Sequence, residues 1–195
     1  MPIHIRPESP QDTPQIHTLT TSAFPSPLEA NIITALRAAN SLTLSLVAVD
    51  SDTPTDASSP AIIVGHVAFS PVTITPASAA DTGKWVGLGP VSVLPSRHGQ
   101  GVGSDLVRAG LETLREQGVR GCVLLGSPKF YGRFGFRSDQ GLMLDDVPPE
   151  YFMSLVLDGG TCPVGKVQYH EAFRETLPAA KKDKNDSSQG QDDSS

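Results

Sequence analysis

The residues with the most pointed chemistry form one run, Val91-Ser-Val-Leu-Pro-Ser-Arg-His-Gly-Gln-Gly-Val-Gly-Ser104. A helical pattern follows at once, with Leu106, Val107, Leu111 and Leu114 on one face. A helix start leaves about four backbone N–H groups without an intrahelical acceptor and carries roughly half a unit of positive charge. A phosphate group satisfies both conditions. It must come close to the backbone, where a Cβ would obstruct it. Gly99, Gly101 and Gly103 remove that obstruction and permit dihedrals closed to other residues. Arg97 and His98 add positive charge beside the turn. The run reads as a grip for a diphosphate. A purely structural strand-to-helix turn is the alternative that the turn alone leaves open.

Two rival phosphate motifs fail on spacing. As a dinucleotide fingerprint, the third glycine would fall on Ser104 or Leu106, depending on the starting glycine. As a nucleoside-triphosphate loop, the run lacks a following Gly-Lys-Ser/Thr. A second candidate loop, Gly160-Thr-Cys-Pro-Val-Gly-Lys166, is followed by Val167 where a magnesium-ligating hydroxyl is required, and the next residues read as strand. Cys122 and Cys162 stand far apart without ligand spacing and read as two reduced thiols, and no metal cluster is visible.

The elements that must position the turn can be sketched from periodicity and breakers. Residues 2–6 alternate as a first strand, and Ser9-Pro10 opens a helix carrying Ile16 and Leu19. A proline-bearing break at 24–28 precedes a second helix with Leu28, Ile32, Ile33 and Leu36 on one face. Strands are expected at 42–49, 61–74 and 84–94, joined by polar loops at 50–60 and 76–83. Gly89-Pro90 marks a bulge in the third of these, since proline disrupts a ladder. The helix after the glycine turn stops near Gly118, a short strand spans 121–125, and 127–135 is a helical turn. Phe136 begins an extended stretch, 145–150 is a loop, and a last strand covers 164–170. The order β-α-α-β-β-β-α-β-α-β predicts antiparallel pairing before the glycine turn and a right-handed parallel crossover after it. An α+β fold follows, a mixed sheet with helices on both faces.

At 195 residues, the chain fits one domain over 1–177 with a polar, disordered tail at 178–195. The net charge of −6 and the absence of a Lys/Arg stripe exclude nucleic acid as the main partner and favour a cationic acceptor. There is no signal pattern and no apolar run near the roughly 20 residues that span a bilayer, so a soluble cytoplasmic protein without a membrane partner is expected.

Residues His98-Gly99-Gln100-Gly101-Val102-Gly103 resemble motif A of the GNAT acetyltransferases, Gln/Arg-x-x-Gly-x-Gly/Ala, with His98 in the leading position. Ser127-Pro-Lys-Phe-Tyr-Gly-Arg-Phe-Gly-Phe136 resembles a second motif of that family, an aromatic-Tyr-x-x-x-Gly-Phe segment. From Pro2 to about Phe173 the chain is similar to the YhbS-like branch, including Val147–Met153. The resemblance implies a mostly antiparallel mixed sheet and acetyl-CoA as cosubstrate, with no metal. It places the pyrophosphate on the backbone of His98, Gly99, Gln100, Gly101, Val102, Gly103 and Ser104, and the pantetheine arm against free backbone groups of Val91 and Val93. It makes Tyr131 the general acid.

Acyl transfer from a thioester to an amine expels a thiolate, and a phenol of pKa about 10 can protonate a sulfur of pKa about 8.5 as it leaves. The oxyanion needs a donor, and a strand N–H suits. Many members of the family place a basic glutamate on the strand before the turn, but 84–94 contains no acid. Glu29, at the start of the helix that lines the acceptor side in this fold, is the candidate base; His66, a water relay and a backbone carbonyl stay open. Phe24, Trp85 and Phe69 shape an acceptor pocket or simply pack the core. Two functions are therefore in competition. One is an acetyl-CoA-dependent N-acyltransferase acting by direct transfer on an amine, small or on a protein. The other is a coenzyme A-binding sensor without turnover.

Overall fold

A computed structural model describes residues 3–50, 61–76, 83–138 and 140–174. The polar tail at 178–195 and nearly all of the two expected polar loops lie outside the described residues. Strand β1 (Ile3–Pro7) leads through a 3-10 turn into helix α1 (Thr13–Ala23) and then α2 (Leu28–Ala38). Three strands follow, β2 (Leu44–Asp50), β3 (Ile63–Pro76) and β4 (Trp85–Val93), before helix α3 (Val102–Glu116) and strand β5 (Gly121–Leu125). A single helical turn α4 (Pro128–Tyr131) precedes β6 (Leu142–Met143), β7 (Phe152–Val156) and β8 (Gly165–Tyr169).

The main sheet runs β1-β2-β3-β4-β5-β7, with β8 extending the far half of β3 and β6 beside β8. Pairing is antiparallel except for β4–β5 and β6–β8. The parallel β4–β5 step is the one joined through α3, as the crossover reading requires. Two expectations differ. Phe152–Val156 forms an edge strand that the sequence reading leaves out, because a short, mostly apolar run broken only by Ser154 carries no strand period. The extended stretch expected from Phe136 reduces, among the described residues before β6, to one bridge from Arg137 to Ser154.

The period-2 alternation of β2 sends Leu44, Leu46 and Ala48 to the face covered by α3, and Val47 and Val49 to the face covered by α1. Val102, Leu106, Val107, Leu111 and Leu114 bury one stripe of α3. Gly118 ends that helix at φ +69°: its N–H donates to the Arg115 carbonyl at 3.0 Å, and the Val119 N–H donates to Leu114 at 3.0 Å, a Schellman cap. At the other end of the sheet, Arg37 in the last turn of α2 donates to both carboxylate oxygens of Glu8 at 2.9 and 3.0 Å. This pair ties α2 to the chain just beyond β1.

Candidate functional site

The site opens where two neighbouring strands part. β4 pairs with β5 only at Trp85, Val86 and Gly87. Opposite β3, Gly89 and Pro90 both face Ala68, since Val67 pairs with Val91 and Phe69 with Leu88. This is the bulge expected at Gly89-Pro90, and it adds twist where the strands separate. Beyond it, the Leu94 N–H donates to Val64. Antiparallel pairs alternate between bonded and non-bonded types, so Ser92 bonds to β3 while Val91 and Val93 turn their N–H and C=O groups toward the opened side.

The glycine turn closes one end of this opening. Gly99 and Gly101 have φ of +75° and +89°, which L side chains rarely adopt. A Cβ on Gly99 would meet no protein atom within 4 Å, so its space belongs to the cavity. Gly103 has ordinary φ and lies over Val91 and Val93, whose methyl carbons would be 3.9 and 3.5 Å from its Cβ. Gly101 caps α3 without a side chain, and the first intrahelical bond runs from the Asp105 N–H to the Gly101 carbonyl at 3.0 Å. The N–H groups of Val102, Gly103 and Ser104 have no acceptor among the described residues. They stand on the wall of a cavity of about 440 Å³ that also touches Arg97, His98 and Tyr131.

The charges around the turn are arranged differently from the sequence reading. Arg97 is ion-paired with Asp50 and bonds Gln100 at 3.4 Å, so Asp50 offsets its charge. The His98 Nε2–H donates to the Val93 carbonyl at 3.0 Å, which fixes that tautomer and pins the turn to β4. Arg133, which the sequence reading passes over, lines the same cavity; it stacks on Phe130 at 4.1 Å and donates to the Phe130 carbonyl at 2.9 Å.

Tyr131 ends α4. Its N–H donates to Ser127 at 3.0 Å, and its ring meets Phe130 and Phe136 edge-on at 4.8 and 6.0 Å. Gly126 makes room for it, since a Cβ there would lie 2.3 Å from the Tyr131 Cε2. Burial pushes the phenol up to about 12, with Cys122 adding in the same direction. It therefore stays protonated at neutral pH and remains a donor, though a weaker acid than free phenol.

Tyr131 is also a wall of a second cavity of about 330 Å³, shared with Glu29, Phe24, Ile32, Tyr169 and Phe173. The structure thus brings Tyr131 and Glu29 to one space and the glycine turn and Tyr131 to the adjoining one. Phe24 and Val91 line both. Ser26 Oγ–H donates to Glu29 at 3.4 Å. Tyr169 is absent from the sequence reading; its hydroxyl is buried without a hydrogen-bond partner among the described residues, and burial pushes its pKa up.

The remaining candidates fall elsewhere. His66 is fully buried in β3, outside both cavities. Ser45 Oγ–H donates to Glu8, so its oxygen accepts from the His66 Nε2–H at 2.8 Å. The Nδ1 lone pair then has no partner among the described residues, and burial holds the imidazole below its ordinary pKa. It is a structural histidine. Trp85 and Phe69 pack in the core rather than at the cavities, and only Phe24 of the three aromatics shapes the opening. The second glycine loop at 160–166 runs into strand β8 and presents no helix start. No helix among the described residues is long and apolar enough to cross a membrane.

Comparisons with known proteins identify the family. A family model described as an acetyltransferase (GNAT) domain matches residues 4–138. The chain is 39% identical over 174 residues to the uncharacterized N-acetyltransferase YhbS of Escherichia coli, a match spanning 87% of this chain and 97% of that protein. The crystal structure of YhbS from Escherichia coli in complex with CoA aligns with a TM-score of 0.78 and 34% identity, covering 91% of this chain and 94% of that one. A GNAT family acetyltransferase from Brucella melitensis, in complex with acetyl-CoA, aligns with a TM-score of 0.71 and 44% identity, covering 88% and 98%.

Proposed function

The chain belongs to the GNAT acetyltransferase family, and from that premise we propose that it moves an acetyl group from acetyl-CoA directly to the nitrogen of an amine. The observation that carries this reading is the position of Tyr131, a wall common to the cavity of the glycine turn and the cavity of Glu29. A donor there faces both halves of an acyl transfer.

The open space at Gly99 and the acceptor-free amides of Val102, Gly103 and Ser104 fit a diphosphate. His98 and Gln100 flank it, and Arg133 supplies the positive charge that Arg97 shares with Asp50. The Val91 carbonyl and the Val93 N–H extend a strand-like ladder to a pantetheine arm, while the Val93 carbonyl is held by His98. Bound acetyl-CoA supplies the thioester: a nitrogen–carbon bond forms, the carbon–sulfur bond breaks, and of the two protons the ammonium loses, one ends on sulfur and one in solvent. Glu29 draws the ammonium in and passes its first proton through water. A β4 N–H at Val91 donates to the developing oxyanion. Tyr131 donates its proton to the departing sulfur and is restored from the amide-forming nitrogen.

A second reading, coenzyme A binding without turnover, is favoured by the lack of any acid on β4. A panel of amines assayed with acetyl-CoA for free thiol separates the two. Thiol release with at least one amine supports the enzyme; CoA protection against heat without any release supports the sensor.

A further inference from the structure

The second cavity has a composition of its own. Glu29 is the one charged residue among those that line it. The rest is mostly apolar and comes from five elements: Phe24 after α1, Ile32 on α2, Leu88 and Pro90 on β4, Leu125 on β5 and Phe173 beyond β8. Tyr131 and Tyr169 complete the lining. Tyr169 is held there by Gly87, where a Cβ would come within 2.4 Å of its ring, and by the Phe173 ring at 5.1 Å. Its hydroxyl is buried with no partner among the described residues.

These features select among amines. A polyamine or aminoglycoside carries several cationic centres, and each one desolvated needs its own anion. One carboxylate serves one ammonium. Aromatic walls suit a broad apolar body and attract a cation to their faces, and about 330 Å³ is the size of a small-molecule site. We infer that the acceptor is a small primary monoamine with an apolar or aromatic body, its ammonium held by Glu29 and its body against Phe24, Ile32, Leu125, Tyr169 and Phe173. This rests on the acetyl-CoA reading of the adjoining cavity and deepens it.

The test uses the full chain saturated with CoA and follows phenethylamine binding by calorimetry, alongside thiol release with acetyl-CoA. Phenethylamine should bind at least about tenfold more tightly than the uncharged phenethyl alcohol, and more tightly than spermidine or a lysine-bearing peptide. Glu29→Gln should weaken phenethylamine about tenfold while keeping wild-type CoA affinity, which also shows that the variant folds. Spermidine or the peptide binding as well as phenethylamine would overturn the inference, as would wild-type amine affinity in Glu29→Gln. No amine binding by a protein that binds CoA sinks the acceptor assignment and leaves the cofactor reading standing. Loss of CoA binding itself sinks the cofactor reading.

Discussion

The two cavities that meet at Tyr131 are built by different means. The glycine-turn cavity draws most of its lining from one stretch, Val91 to Ser104, where the open backbone of the turn faces it, with Phe24, Phe130, Tyr131 and Arg133 completing the wall. The Glu29 cavity is lined by residues gathered from α2, β4, β5, α4 and β8, with Phe24 and Phe173 from the segments after α1 and β8. Backbone recognition needs only a shape and a dipole, and a short motif encodes both. Side-chain recognition depends on which scattered residues the topology gathers, and nothing local encodes it. One half of such a site can therefore stay fixed while the other is rebuilt for a new acceptor.

The largest effect should come from Gly101→Trp. An indole at φ +89° strains the turn and fills the cavity. CoA affinity should fall at least about 100-fold, about 2.7 kcal/mol, as read by calorimetry. A variant that binds CoA normally would break the assignment of the backbone-built half. Tyr131→Phe lies on the boundary between the halves. It should lower kcat by about 10- to 100-fold with CoA affinity within about twofold, because it removes a proton donor and no binding contact. Equal turnover would take Tyr131 out of the chemistry.

Gly126→Ala sharpens the same boundary without touching a reacting group. Its Cβ would displace the Tyr131 ring, so kcat should fall about threefold to tenfold. The cost of overpacking, about 1–3 kcal/mol, should lower Tm measurably. The smallest effect is one of pH. The neutral phenol is favoured by burial, so Tyr131 stays a donor until the pH approaches about 12. The pH–rate profile should rise as the acceptor amine loses its proton and show no phenol-dependent fall below about pH 11. A fall centred near 10 would mean a solvent-exposed phenol.

The legibility of the sequence follows the same division. The turn, its helix, the bulge at Gly89-Pro90 and the parallel crossover could all be read locally, because glycine, proline and helical periodicity act within a few residues. The pairing of Arg97 with Asp50 could not, because the partners lie 47 positions apart and meet only across the folded sheet. Gly126 gave no signal either: its φ is ordinary, and it is required only by the ring that the fold lays on it. Tyr169 reads as one more aromatic on a short strand until β8 is seen to pair with β3 and place it beside Glu29. The strand at 152–156 was hidden by an apolar run too short to show a period.

The Arg37–Glu8 clasp makes the acceptor wall acid-soft. Burial alone would raise the Glu8 carboxyl, but bonds from His66, Arg37 and Ser45 outweigh it and bring the group down to about 2, from an ordinary 4.5. The stabilisation is complete above pH 4.5 and drains away as the pH falls toward 2. What loosens first is the anchor of α2, the helix that carries Glu29, while the glycine turn rests on α3 and β4, which take no part in the clasp. Pepsin near pH 3 should nick the protein within 28–38 before it reaches 102–116. Acid would dismantle the wall that carries Glu29 and spare the glycine turn.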